Sequence, residues 1–595
     1  RRDKKSREEK RTAKAPSPAS PAVRKQVFGG ALDTAIFASG VFAVAAFYLV
    51  LKAYSVNAYA GDEHIYLYQA KLIADGFAPY GDFAMAHPPF QALLTAAIFK
   101  VAGYHFELGR LLPILVTLAG GLGLAWMARR EIGSIAAIAA MAVALLSYEP
   151  LRASSHFTGV ETAVTLLVFA WLAARRERTI LAAALCVAAV MTRLYAIPGV
   201  AALLVVTLLE NRRRGLFLAL FGCAMGLTAF AALGLWTGFG PMFHDIFLYH
   251  AEKTAMDAAE LANMKAGVLF HNAVPAALYA LSLPAMLVAV SSAWRHVNAK
   301  SSNFARLREA VKSSGASLPL AGAFAAFLIL ALLLNMDRVW MYYFVPAFPF
   351  GALAAGWLVS LWIRGFARLA RAGFRLEASG LGRGAVAGAF LAFVAFSIFF
   401  SLCHRLERNL DYFEKETSKK ADERDRVYAW RDAALLPDFL NGAVRSFLWE
   451  DERTIGDRYT TFTYYLWHES RVFDVADEIV AEIRDRTAEG DEIFGDSGTV
   501  PLLALLSGRD IAGREVDTNI QRYRSSNADP KALVANIDRA ETRIIFLRNR
   551  FGVAGLREIQ ALVKEKYEPA KSFRTSEGQA FQMFVRRADA REPSP

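Results

Sequence analysis

The sequence has few cysteines and lacks the phosphate-binding loops of nucleotide-dependent enzymes. Its three cysteines, Cys186, Cys223 and Cys403, all fall inside apolar segments. A thiol there behaves as a small hydrophobic group, so we expect neither disulfides nor a thiolate metal site. No Gly-Lys step occurs, which excludes a Walker loop, and no strand-like segment is followed by a G-x-G-x-x-G turn. We therefore expect no nucleotide cofactor.

The chain also lacks the charge density of an ordinary soluble enzyme. Of its 595 residues, 55% are hydrophobic and 21% are charged, and the mean hydropathy is +0.27. Runs of about 18 or more apolar residues recur between residues 31 and 403 and then stop. This pattern predicts a polytopic α-helical membrane protein, followed by a small soluble α/β domain.

The net charge of +12 is distributed as in a membrane protein. Lys and Arg cluster where apolar runs end, instead of forming one stripe with aromatics, so we expect no nucleic-acid partner. The basic segment 1–30 has no apolar periodicity and is expected to be a disordered cytoplasmic tail. Residues 31–403 would form the transmembrane domain and residues 404–595 an extracytoplasmic α/β domain. Because no small-residue cleavage site follows the first apolar run, we expect that run to be retained as a span.

The apolar runs predict about eleven transmembrane helices. They lie at 31–53, 109–128, 132–148, 158–174, 179–192, 197–210, 216–237, 274–293, 318–335, 343–363 and 384–403. Every second loop carries a basic cluster such as Arg212-Arg213-Arg214, and this side is assigned to the cytoplasm. We therefore expect a multi-pass protein of the inner (plasma) membrane, with its N-terminus in the cytoplasm and its C-terminal domain outside.

The segment 179–210 lies between two basic clusters, and it is too long for one span and short for two. Equal flanks require an even number of crossings. The sequence therefore predicts a tight hairpin whose turn, Thr192 to Tyr195, does not fully clear the membrane. Arg193 would lie at membrane depth, where a charge needs a partner.

The first outer loop predicts two short interfacial helices. Asp62 is a suitable N-cap for a helix that ends at Asp75-Gly76, and His87-Pro88-Pro89 begins a second helix that ends at Gly103. The second helix, at about 15 residues, is too short to span. Asp62, Glu63 and His87 would then lie at helix ends near the membrane surface.

Other outer loops also carry ionisable residues beside apolar spans. Among them are Glu161, just inside the fourth span, and Arg193, His250, Lys253 and Arg338. Carboxylates facing fixed cations suit a reaction that removes a proton from a hydroxyl and leaves an anionic phosphate. The alternatives are that these groups are helix caps or solvated loop charges, that Arg338 pairs with Asp337, or that Arg193 pairs with Glu161.

This pattern resembles, over most of residues 31–403, the membrane glycosyltransferases that include the protein O-mannosyltransferases and the lipid A aminoarabinose transferase. The pair Asp62-Glu63, the turn from Gly76 to Tyr80 and His87-Pro88-Pro89-Phe90 look like the family's first-loop signature. Weaker correspondences are Glu161 in place of a usual Asp, Thr192-Arg193 as a Thr-Lys or Thr-Arg step, His250 and Lys253 as a His-x-x-Arg pair, and Tyr343 to Pro346 as a Tyr-x-x-Pro segment.

The resemblance implies a C-type glycosyltransferase fold and an inverting transfer of a sugar from a polyprenyl-phosphate donor. The acceptor, a lipid, a glycan or a protein, would be on the extracytoplasmic face, among membrane lipids. The implied catalytic residues are Asp62, as general base, with Glu63 and Glu161. The implied substrate-binding residues are Arg193, His250, Lys253, Arg338, Tyr343, His87 and Tyr66. We expect no obligatory metal, although His64, His156 and His244 could join carboxylates around a divalent cation.

Two other functions stay open at the level of sequence. One is a transporter or flippase of lipid-linked sugars, whose membrane-depth charges would line a pathway. The other is a non-catalytic relative whose C-terminal domain has a binding role.

The predicted C-terminal domain alternates strand-like runs with helical stretches. The strand-like runs are 454–456, 491–495, 543–547 and 581–585, and the helical stretches include 475–486 and 556–566.

Overall fold

The computed structural model describes residues 30–53, 62–251, 317–334, 341–371, 475–524, 528–548, 552–575 and 580–587, with isolated positions between 258 and 336. Up to residue 371 this part of the chain is helical. The helices are α1 Gly30–Ala53, α2 Glu63–Ala74, α3 Phe90–Ala102, α4 Phe106–Ile132, α5 Ser134–Leu146, α6 Tyr148–Ala153, α7 Val160–Arg175, α8 Thr179–Thr192, α9 Ile197–Glu210, α10 Arg212–Thr237, α11 Phe239–Phe243, α12 Tyr249–Ala251, α13 Ser317–Leu334 and α14 Phe348–Arg371. A π-helical turn, His244–Leu248, joins α11 to α12, and 3-10 turns at Leu194–Ala196 and Met341–Ala347 precede α9 and α14.

Five of the described helices are long and apolar enough to cross a membrane. These segments are Gly30–Lys52, Phe106–Ile132, Arg212–Thr237, Ser317–Leu334 and Tyr343–Arg364. Shorter apolar helices accompany them, at Phe90–Ala102, Ser134–Leu146, Thr179–Thr192 and Leu194–Glu210. Two predicted spans, 274–293 and 384–403, lie outside the described residues, so the count of eleven stays a prediction.

The predicted hairpin at 179–210 is confirmed as two helices joined by a short turn. Helix α8 ends at Thr192, Arg193 takes an extended conformation (φ −153°, ψ 129°), and the 3-10 turn leads into α9. Pro198 lies in the first turn of α9, where a missing N–H costs nothing because that group has no helical partner.

Small residues allow the apolar helices to approach closely. Ala136 and Ala140 of α5 pack against Gly356 of α14, where a Cβ atom would collide with the backbone of α5. Trp171 of α7 is also buried in this core and contacts Phe350 of α14, with ring centroids 4.6 Å apart. Such contacts hold helices together in lipid, where the hydrophobic effect gives no advantage to burial.

The two helices predicted in the first outer loop are present as α2 and α3, with 12 and 13 residues. Asp62 precedes α2, but its side chain makes no capping hydrogen bond to that helix. Gly76 follows α2 with a φ of +102°, and Gly103 follows α3 with a φ of +79°, conformations that glycine adopts at low cost. The interfacial position of both helices stays a prediction.

The sheet of the C-terminal domain confirms the α/β prediction. Its elements are α15 Ala476–Arg486, β1 Glu492–Gly495, α16 Val500–Ser507, β2 Asp510–Ile511, α17 Ile520–Arg524, α18 Pro530–Arg539, β3 Ile544–Arg548, α19 Arg557–Lys566, β4 Tyr567–Arg574 and β5 Ala580–Arg586. The strand order is β2-β1-β3-β5-β4, with β1 parallel to β2 and β3, and with β5 antiparallel to β3 and β4. The strand-like run 454–456 lies outside the described residues.

The C-terminal domain packs against α2, in the predicted first outer loop. Ile65 and Leu72 of α2 share a hydrophobic core with Leu503 of α16. At the edge of this core the hydroxyl of Tyr68 accepts a hydrogen bond from the amide of Ile511 at 2.9 Å and lies 3.3 Å from Asp510. The two parts therefore form one packed unit, which no pattern in the sequence predicts.

Candidate functional site

The two adjacent acidic residues of the first outer loop have different environments. Asp62 is exposed at the start of α2, whereas Glu63 is fully buried. Glu63 forms an ion pair with Arg110 of α4 at 2.9 Å, and its second oxygen accepts a hydrogen bond from the amide of Phe157 at 3.3 Å. Glu63 thus connects α2 to α4 and to the loop that follows α6. These contacts fix the position of α2 relative to both.

Further buried cations lie behind Glu63. Arg110 also donates to the carbonyl of Ser155 at 3.3 Å, and Lys52 of α1 donates to the hydroxyl of Ser155 at 2.6 Å and to the carbonyl of Leu151. Burial, with the nearby guanidinium of Arg110, lowers the pKa of His64 to about 3, so this ring is neutral at physiological pH. Among the described residues, no group of three or more His, Cys, Asp or Glu side chains is close enough to hold a metal ion.

Arg193 lies at the hairpin turn and is 5% exposed. Its Nε donates to the carbonyl of Thr158, and its guanidinium lies over the ring of Tyr66, 4.5 Å from the centroid. Gly159, with a φ of +83°, lies directly beneath the guanidinium. A Cβ atom there would lie 3.1 Å from Nε of Arg193 and 2.8 Å from Oε1 of Gln91. The site therefore requires glycine at this position for both space and conformation.

Glu161 lies on the other side of Gly159 and is 3% exposed. Its Oε1 accepts hydrogen bonds from Gln91 at 3.1 Å and from the amide of Gly159 at 3.2 Å. Its Oε2 is buried without a hydrogen-bond partner among the residues that the structure describes. A buried carboxylate oxygen in this state is costly unless a ligand or water binds it. The Arg193–Glu161 pairing that the sequence leaves open as an alternative stays a prediction.

The structure brings Tyr66, His87 and His250 into one row beside Arg193. The rings of Tyr66 and His87 are 5.7 Å apart, and those of His87 and His250 stack at 5.1 Å. His250 donates from Nε2 to the carbonyl of Ala86 at 2.6 Å. Burial raises the pKa of Tyr66 to about 12, so its hydroxyl stays protonated and can donate a hydrogen bond.

Three predicted substrate-binding residues remain, and the structure describes one of them, Tyr343. Tyr343 stacks on Tyr195 with centroids 5.0 Å apart, and Tyr195 is two residues after Arg193. Lys253 and Arg338 lie outside the described residues. The arrangement therefore combines a buried cation, a carboxylate with an open oxygen and a row of aromatic rings, which can bind an anion next to an acid or base.

Sequence reasoning missed several residues that shape this site. Gln91 and Gly159 hold Glu161, and Asp245 accepts a hydrogen bond from the amide of Met85 at 3.0 Å. Arg522 of the C-terminal domain contacts Asp245 at 3.5 Å. The sequence offered one signal for these residues, which is Gly159, two residues before Glu161. A residue with a positive φ at the start of a helix is usually glycine. The other pairings join residues far apart in the chain.

Comparisons with solved structures show which fold this chain shares. It superposes on the crystal structure of ArnT from Cupriavidus metallidurans bound to undecaprenyl phosphate with a TM-score of 0.58 at 15% identity, covering 95% of this chain and 100% of that one. The apo state of the same protein gives a TM-score of 0.57 at 15% identity, covering 94% and 99%. The archaeal oligosaccharyltransferase AglB from Archaeoglobus fulgidus, in complex with an inhibitory peptide and a dolichol-phosphate, gives a TM-score of 0.43 at 11% identity, covering 92% and 74%, too low to establish a common fold. No family model and no curated protein sequence matches the chain.

Proposed function

We propose that this protein is an inverting glycosyltransferase that moves a sugar from a polyprenyl-phosphate donor to an acceptor on the extracytoplasmic face of the membrane. The observation that carries the proposal is the buried guanidinium of Arg193 at a hairpin turn, next to a carboxylate, Glu161, with an open oxygen. The fold shared with ArnT, whose structure holds undecaprenyl phosphate, supports a lipid phosphate as the ligand of that guanidinium.

The depth of Arg193 suits a carrier phosphate. The polyprenyl chain lies in lipid, so its phosphate must bind near the membrane boundary. The attraction between a fixed cation and the phosphate is strong there, because little water screens it. Arginine can contact two phosphate oxygens at once. The row formed by Tyr66, His87 and His250 extends from this guanidinium and offers aromatic surface for a sugar ring.

The reaction needs a base for the acceptor hydroxyl, and we assign that role to Asp62. Asp62 is exposed, and it lies at the start of α2, four residues before Tyr66 of the row. Asp62 takes the hydroxyl proton while the acceptor oxygen attacks the anomeric carbon. The bond from that carbon to the phosphate oxygen breaks on the opposite face, and the phosphate leaves with the electron pair. Arg193 stabilises the second negative charge that the phosphate gains.

The test is an assay of the purified protein against a panel of polyprenyl-phosphate sugars. The proposal predicts release of free polyprenyl phosphate that depends on an acceptor with a hydroxyl group. Movement of the intact lipid-linked sugar across a proteoliposome membrane, without release of polyprenyl phosphate, would instead identify a flippase.

A further inference from the structure

Arg522 belongs to α17 of the C-terminal domain, but its guanidinium lies against the membrane domain. The side chain is 8% exposed, with one terminal nitrogen 3.5 Å from Asp245 and the other 3.7 Å from Asp517. Its guanidinium carbon is 5.2 Å from the centroid of the Tyr249 ring. One cation is therefore shared by a carboxylate of each domain.

Asp245 connects this cation to the first outer loop. It lies in the π-helical turn His244–Leu248, a distortion of the helix that often marks a functional position. One carboxylate oxygen accepts the amide of Met85 at 3.0 Å, and the other is 3.1 Å from Nδ1 of His244 and 3.5 Å from Arg522. Asp245 is 5% exposed, so these protein groups, and not bulk water, surround its carboxylate.

Met85 belongs to the segment 84–87, which the structure holds from several sides. Gln69 of α2 donates to the carbonyl of Ala84 at 3.0 Å, and Tyr80 donates to the carbonyl of His87 at 2.7 Å. His250 bonds the carbonyl of Ala86, and its ring stacks on His87. Contacts are thus continuous from the C-terminal domain, through Asp245 and segment 84–87, to the row beside Arg193.

We propose that Arg522 is a positioning residue through which the C-terminal domain fixes segment 84–87, and with it the substrate-binding row. Its guanidinium pairs with Asp245 in a buried place, and the carboxylate held in this way accepts the amide of Met85. Without Arg522, the buried carboxylate of Asp245 loses an ion-pair partner and its fixed orientation, and the segment loses its anchor. The effect on sugar transfer rests on the glycosyltransferase function proposed above, whereas the effect on segment 84–87 does not.

The first experiment measures amide hydrogen exchange in the full-length protein. In Arg522→Gln, we expect the peptide that contains Met85 to exchange about tenfold faster, the size expected when a hydrogen bond to a charged group is lost. Arg586→Gln is the matched control, because Arg586 is similarly buried and pairs with Asp538 at 3.1 Å inside the C-terminal domain. The peptide that contains Ile511 reports whether the domain stays docked. Unchanged exchange at Met85, or equal acceleration at Met85 and Ile511, would overturn the proposal.

The second experiment separates positioning from general stability. Arg522→Lys keeps the charge and should retain most of the Met85 protection. If Arg522→Gln does not fold, Arg522→Met, which also removes the charge, replaces it. If Arg522 acts through Asp245, the effects of Asp245→Asn and Arg522→Gln on Met85 exchange are not additive in the double variant. Additive effects on that exchange would contradict the proposal.

In the transfer assay, Arg522→Gln should raise the KM for donor more than it lowers kcat. Loss of Met85 protection in Arg522→Gln, together with no transfer by the wild-type protein, would reject the glycosyltransferase function and leave the positioning role standing.

Discussion

At the scale of single residues, the neighbours Asp62 and Glu63 show how one position along a helix changes a role. Asp62 precedes α2 and reaches solvent, whereas Glu63 is the first residue of the helix and is buried against Arg110. The exposed group is available to an acceptor, and the buried one is committed to holding helices together. The assignment of Asp62 as the base follows from this difference in access.

Asp62→Asn should lower turnover by a factor of about 100 or more, because the amide cannot take the proton of the acceptor hydroxyl. Folding should be unaffected, since the side chain of Asp62 makes no capping bond to α2. Initial rates of polyprenyl phosphate release check this. Asp75→Asn, the same change at the exposed other end of α2, is the control. Near-normal turnover of Asp62→Asn would shift the role to Glu161.

Arg193→Gln should give a stable protein with weak donor binding and low turnover, because its guanidinium is proposed to contact the phosphate and not to pair with Glu161. Donor binding and thermal unfolding are measured side by side. Arg178→Gln, at the exposed opposite end of α8, is the control. Lost thermal stability with donor binding intact would assign Arg193 to helix packing, and unchanged binding and turnover would remove it from the site.

At the scale of elements, the short hairpin sets the depth of the site. Each of α8 and α9 has 14 residues, a length of about 21 Å at 1.5 Å per residue, against a hydrocarbon core of about 30 Å. We therefore expect the turn between these two helices, and Arg193 with it, to lie below one membrane surface. The short first-loop helices α2 and α3 then cover it with Tyr66 and Gln91.

The Glu63–Arg110 pair should be a strong structural tie between α2 and α4. Glu63→Gln leaves Arg110 as an uncompensated buried charge and should destabilise the protein by about 3 kcal/mol or more. The double variant Glu63→Gln with Arg110→Met removes that charge and should recover part of the loss. Thermal unfolding in detergent measures both. Glu107→Gln, an exposed change in the first turn of α4, should have little effect, and an equally mild Glu63→Gln would show that the pair is dispensable.

At the scale of the whole molecule, the C-terminal domain and the first outer loop share one hydrophobic core. A domain that packs on that loop must lie on the same side of the membrane as the loop. Orientation of one therefore fixes the other, and the basic loops on the opposite side predict that this side is extracytoplasmic.

A single cysteine at Glu489, an exposed residue of the C-terminal domain, tests this orientation in a variant without native cysteines. We expect an impermeant thiol reagent to label it from the extracytoplasmic side without breaking the membrane. A cysteine at Arg178, which the charge pattern assigns to the cytoplasm, should react only after permeabilisation. The reverse pattern would contradict the topology and, with it, the proposed site of the reaction.

The sequence by itself determined the local elements and the kind of residue at the site. Apolar run length predicted α1, α4, α5, α7 to α10, α13 and α14, and start and stop signals predicted α2 and α3. Strand-like runs predicted β1, β3 and β5. The equal basic flanks of 179–210 predicted the hairpin with Arg193 in its turn. These features depend on neighbours within about one helix turn or one strand, which a sequence displays directly.

Only the tertiary structure decided which of these residues meet. It buried Glu63 against Arg110, left Oε2 of Glu161 open, and placed Arg522 on Asp245 although the two are far apart in the chain. A charge pattern cannot specify such pairs, because any of several cations could compensate a given carboxylate. The choice is made by the packing of helices and domains, which fixes the distances over which buried charges interact.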